Sequence, residues 1–129
     1  MIISLPTEII LPRKTKKDKR VGLNLNVYRN LHHSVEGQCK RAFFELMEEG
    51  LTALQPFKGA VRLVYTFHPR NKGRCDVSNM CCIVDKYFSD CLVMTGLLPD
   101  DCYDFIPEVK YTVGPIVKGS AIEVDVFAI

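Results

Sequence analysis

His68–Asp104, HPRNKGRCDVSNMCCIVDKYFSDCLVMTGLLPDDCYD, is the stretch that decides how the rest of the chain is read. It opens with a basic loop carrying Arg70, Lys72 and Arg74, and it closes beyond Gly96 with the acid pair Asp100 and Asp101. Between them, at 100° per residue, Val77, Met80, Cys81, Val84, Tyr87, Phe88, Cys91 and Leu92 fall on one arc and predict a helix. Ser78, Asn79, Cys82, Asp85, Lys86, Ser89 and Asp90 fall on the opposite arc. Asp76 stands where a carboxylate can accept the first free backbone N–H groups, and Gly96 where a left-handed residue ends the helix. Carboxylates thus stand at the helix start and in the loop after its end, with arginine and lysine nearby.

Working outward, 129 residues of which 47% are hydrophobic suffice for one sizeable core, so a single domain spanning 1–129 is expected. A formal net charge of +2 is too small to announce a nucleic-acid partner, so that reading rests on where the charges lie. They lie in two blocks: Arg13, Lys14, Lys16, Lys17, Lys19 and Arg20, then Arg70, Lys72 and Arg74. The first reads as a mobile basic loop that either touches phosphate or is simply solvated.

The six cysteines form no CxxC or mixed His/Cys pattern, which argues against zinc. With no signal peptide and no apolar run of membrane length, a reducing cytoplasm without membrane attachment is expected. No GxGxxG or Walker pattern supports a nucleotide cofactor.

Residues 2–11 read as an edge strand interrupted by Pro6, 34–50 as a helix stopped by Gly50, and 60–68, with alternating Val61, Leu63, Tyr65 and Phe67, as a strand. Residues 105–113 and 121–129 read as two strands joined into a closing β-hairpin. The sum is an α+β fold, a single-layer mixed β-sheet with two helices packed on one face, in the order β-α-β-α-β-β.

Carboxylates so placed can hold Mg²⁺, with Mn²⁺ as an alternative, and a metal of this kind polarises a phosphodiester and supplies hydroxide. Asp76 and Asp101 are the first candidates and Asp100 the next, while Lys86 is placed to neutralise charge developing on phosphate. A purely structural account is also open: Asp76 as a cap, Asp100 and Asp101 as a polar turn after Pro99, Lys86 as a solvated side chain.

The runs Arg74–Asn79 (RCDVSN), Lys86–Leu92 (KYFSDCL) and Gly96–Asp101 (GLLPDD) resemble, in that order, the central motif of the RusA family of phage and prophage Holliday-junction resolvases. The predicted element order resembles that family over nearly the whole chain. The resemblance implies a homodimeric, Mg²⁺-dependent endonuclease that resolves four-way DNA junctions by paired cuts in a bacterial cytoplasm. It implies metal ligation by Asp76, Asp100 and Asp101, a catalytic role for Lys86, and supporting roles for Ser78, Asn79 and Asp90. Two departures stand out. Ser78 occupies a position where the best-known members carry aspartate, and Cys82 occupies the usual lysine position, with Lys86 one turn further on. They motivate a second expectation, a junction-binding or regulatory protein on the same fold with weakened catalysis.

Overall fold

The computed structural model describes every residue from Met1 to Ile129. Its elements run β1 (Ile2–Leu5), β2 (Glu8–Leu11), β3 (Lys19–Gly22), α1 (Leu25–Arg29), α2 (His33–Thr52), β4 (Val61–His68), α3 (Val77–Met94), β5 (Glu108–Val113) and β6 (Ala121–Ala128). A four-stranded mixed sheet in the order β1-β6-β4-β5 forms the floor, and β2 and β3 make a separate antiparallel pair. The fold is α+β, as the periodicities predict.

In β4 every second residue, Val61, Leu63, Tyr65 and Phe67, is buried. That is the period-two signature of a strand with one face on the core. Ile122, Val124 and Val126 of β6 continue the same face. Onto it packs α3, whose Val84, Phe88 and Leu92 are fully enclosed. Phe88 meets Tyr65 edge-on at 6.4 Å between ring centroids, so Phe88→Ala would remove a large part of this seam, at a cost of roughly 3–5 kcal/mol. α2 adds Cys39, Phe43, Met47 and Leu51 to the same contiguous core.

Three sequence expectations need correction. Residues 2–11 are two strands, because Pro6 breaks the run and β2 turns away to pair with β3 in the register Ile9↔Val21 and Leu11↔Lys19. The first basic block is therefore only partly a loop: Lys19 and Arg20 belong to a strand that Val21 ties into the core. Gly50 does not stop α2, which runs on to Thr52 with Gly50 on an open surface where a missing side chain costs little contact.

The largest correction concerns the end of the chain. β5 and β6 are not a hairpin, because β4 lies between them, parallel to β5 and antiparallel to β6. The connection 114–120 must therefore pass over the end of β4, where Gly114 N–H donates to Phe67 O and Val117 N–H to Pro69 O, both at 2.9 Å. Parallel β4 and β5 require a long crossover, and α3 supplies it. Periodicity marks a strand without saying which neighbour it takes, so adjacency in sequence misled here.

The predicted polar arc of α3 is also narrower than expected. Asp85 and Ser89 turn toward the sheet, where Tyr111 Oη donates to Asp85 Oδ2 at 2.7 Å and Ser89 Oγ donates to Asp85 Oδ1 at 3.3 Å. Tyr65 Oη lies sealed beside this pair without a hydrogen bond of its own, and burial pushes its proton affinity well up. No helix is long and apolar enough to cross a membrane.

Candidate nucleic-acid interface

Arginines gather around the start of α3 and aspartates around its end. At its start Asp76 is the N-cap: its Oδ1 accepts from Ser78 N–H at 3.1 Å and from Ser78 Oγ at 2.9 Å. Ser78 thus serves Asp76 twice as a donor. Beside this cap opens a cleft of about 630 Å³ bounded by β2, β3, the loop after β4 and the 114–120 connection. Arg20, Arg70 and Arg74 line it together with Cys75, Met80, Gly119 and Ser120.

The cleft joins residues fifty positions apart in sequence. Arg20 comes from β3, held by Glu8 at 3.1 Å, and Arg70 and Arg74 come from a loop folded back by Asn71, whose Oδ1 accepts from Gly73 N–H at 2.8 Å. Both arginine sources and the start of α3 therefore face one concavity, where the helix N-terminus adds partial positive charge that Asp76 partly offsets. A groove with guanidinium forks on two walls suits a phosphate backbone.

The other predicted contacts take up different places. Arg13, Lys14, Lys16 and Lys17 are exposed at the β2–β3 tip, where Arg13 Nε donates to Lys17 O at 2.7 Å and shapes the turn. They stand outside the cleft, as does exposed Lys72. Lys19 sits on the α2 side, near enough to Cys39 to act on its thiol.

The acid pair lies at the other end of the helix. Asp101 N–H donates to Asp100 Oδ1 at 2.7 Å. Partial burial, then the charge of Asp90 and the hydrogen bond that the protonated Asp101 carboxyl can donate to Asp100, push the Asp101 carboxyl above its usual range. Asp90 itself pairs with Lys40 of α2 at 2.9 Å. Asp90 follows Asp76 by fourteen residues, which at the helical rise is about 21 Å along the axis. A Mg²⁺ ion binds its ligands at 2.0–2.1 Å, so within one chain Asp76 and the Asp100–Asp101 pair do not fit a single ion. No group of three His, Cys, Asp or Glu side chains in the chain is close enough to hold a metal.

Lys86 lies between these ends, exposed and without an ion pair, about 15 Å along the helix from Asp76. Asn79 is half-buried on the first turn, near the cleft. Cys82 is half-buried, with its thiol raised by burial, while burial pushes Cys81 up to about 12; neither resembles an activated nucleophile. Lys40 is the residue the sequence did not single out. Its signal was a cation, beside Arg41, on an α2 that also carries Glu36, Glu45, Glu48 and Glu49, with Asp90 as a partner that only the packing of α2 on α3 reveals. No protein-family model matches the chain, and no curated protein sequence matches it.

Proposed function

We propose that this protein grips the phosphate backbone of branched DNA in the cleft lined by Arg20, Arg70 and Arg74. The observation that supports this reading is the meeting of two separate basic segments in one groove beside the start of α3. Backbone contacts of this kind position a duplex without reading its bases, which suits a ligand selected by shape. Six free thiols fit a reducing cytoplasm as its place of action.

Metal-dependent cutting of the four-way junction, in the manner of the RusA-like resolvases, is the fuller form of this proposal, and Asp76 at the cleft side of α3 favours it. A homodimer carrying two such clefts would present one to each of two strands. Asp76 would then face the scissile region, Asn79 would support it from the same turn, and the arginines would fix the strand. The distance to Asp101 favours binding without cutting as the alternative, so no step is assigned to a shared ion.

One assay separates the two. A synthetic four-way junction is incubated with the protein in EDTA and in Mg²⁺, and both retardation and nicking are read. Retardation in both buffers with nicking in Mg²⁺ alone supports the resolvase. Retardation in both without nicking supports the binding protein, and loss of retardation in both sinks the DNA reading.

A further inference from the structure

At the end of β4, His68 is held between two acceptors. Its Nδ1 lies 2.9 Å from Pro115 O and its Nε2 lies 3.2 Å from Glu123 Oε1. A carbonyl and a carboxylate can only accept, so both contacts are hydrogen bonds only when both ring nitrogens carry protons. The geometry therefore selects the imidazolium, and the ring's proton affinity is raised accordingly, by the Glu123 hydrogen bond first and the Pro115 carbonyl second.

The surroundings are built around this ring. A Cβ on Gly114 would stand 2.5 Å from His68 Cε1 and 2.8 Å from the Thr66 methyl, so only glycine lets the connection pass this close. β6 contributes Glu123, the connection contributes Gly114 and the Pro115 carbonyl, and no other charged side chain acts on the ring. Four and five residues after Pro115 the connection reaches Gly119, at φ 79°, and Ser120, at φ 60°, a left-handed conformation that a serine holds only where its surroundings fix it. Gly119 and Ser120 form one wall of the arginine-lined cleft.

We infer that His68 is a positioning residue for that cleft: as an imidazolium it fastens the 114–120 connection across the end of β4 and so sets the Gly119–Ser120 wall against the arginines. Losing one ring proton leaves a nitrogen lone pair facing either the Pro115 carbonyl or the Glu123 carboxylate, which breaks the bridge from the connection to β6 and leaves the connection to its backbone bonds at Gly114 and Val117. The role in DNA binding rests on the function proposed above; the clamp itself does not.

The test joins NMR with binding on the full chain. Imidazole ¹⁵N shifts should show both His68 nitrogens protonated at pH 6.5, and the amides of 114–120 should follow the ring as it titrates. Glu123→Gln should move both to lower pH. Binding of a duplex probe, followed by anisotropy from pH 6 to pH 8.5, should weaken by about fivefold through the same transition, the low end of typical coupling between sites. His68→Gln should bind as the wild type does at pH 8.5 and show no step. A ring neutral at pH 6.5, loop amides that ignore it, or a wild-type pH step retained in His68→Gln would each overturn the inference. Loop amides that follow the ring in a chain that binds no DNA would sink the proposed function, and with it the clamp's part in binding, while keeping the clamp.

Discussion

At its N-terminal end α3 meets three arginines and an open groove, and at its C-terminal end it meets three aspartates and one lysine. The first set is exposed around empty space, whereas the second is internally engaged, with Lys40 on Asp90 and Asp100 on the Asp101 amide. Arg70 and Arg74 have no ion partner around this concavity and are available to a ligand, whereas Arg20 shares its charge with Glu8. Charges already paired mostly hold helices together. The contrast shows what counting acids and bases along α3 leaves out: which of them are already engaged with one another.

Asp76→Asn is the strongest way to sharpen the contrast. It preserves the cap, because asparagine caps as well as aspartate. If cutting occurs at the cleft, nicking should fall by at least about a hundredfold, the scale on which loss of one charge-stabilising group is felt. Asp101→Asn should leave nicking within a few-fold. Equal losses at both positions would break the contrast and mean that the two ends act in one site, which in view of their separation requires a second copy.

The next effect is on binding. Replacing Arg20, Arg70 and Arg74 together by Ala should weaken junction binding on the order of a hundredfold and lower the salt slope by about 2.7, at about 0.9 per phosphate contact. Lys40→Ala should leave both unchanged. Replacing Lys14, Lys16, Lys17 and Lys19 should cost less, on the order of tenfold, because these residues stand outside the groove. A larger loss at the tip than in the cleft, read in the same titration, would move the interface.

Smaller effects fall on stability. Lys40→Ala should lower it by about 0.5–1 kcal/mol in urea unfolding, since the pair is partly exposed and already screened by solvent. Asp101→Asn should raise it slightly at neutral pH, because the folded state disfavours that charge. The sign follows from a folded pKa above the unfolded one: the wild type carries the penalty above its folded pKa and sheds it as pH falls through that value. A gain that grows on acidification would contradict this.

Much of the fold could be read from the chain because single elements have periods. Val61 to Phe67 alternate and Val77 to Leu92 repeat every 3.6 residues, so β4 and α3 emerge with bounds close to those found. What could not be read was partnership. Nothing in Ala121–Ala128 says that β6 inserts between β1 and β4, and nothing in Lys19–Arg20 says that they open a strand paired with the one begun at Glu8. The site divides along the same line. Asp76 as a cap is local and legible, whereas the meeting of Arg20 with Arg70 and Arg74 depends on β3 and the loop after β4 converging. Asp76 and Asp101, paired in the sequence pattern, lie far apart within one chain, because the pattern gives direction around a helix but says little about distance along it.

The place of β6 also bears on how the molecule assembles. The four-stranded sheet has its last strand inside it, between the first strand and the middle one. Until that segment arrives, β1 has no partner in the sheet and β4 lacks one of its two, so early partial sheets are limited to β4 with β5. The pairings Ile2↔Asp125 and Val61↔Ala128 close long loops before they return any contact energy. Folding should then be slow for a chain of this size, in the range of milliseconds to seconds, with a single cooperative step dominated by the docking of its C-terminal strand.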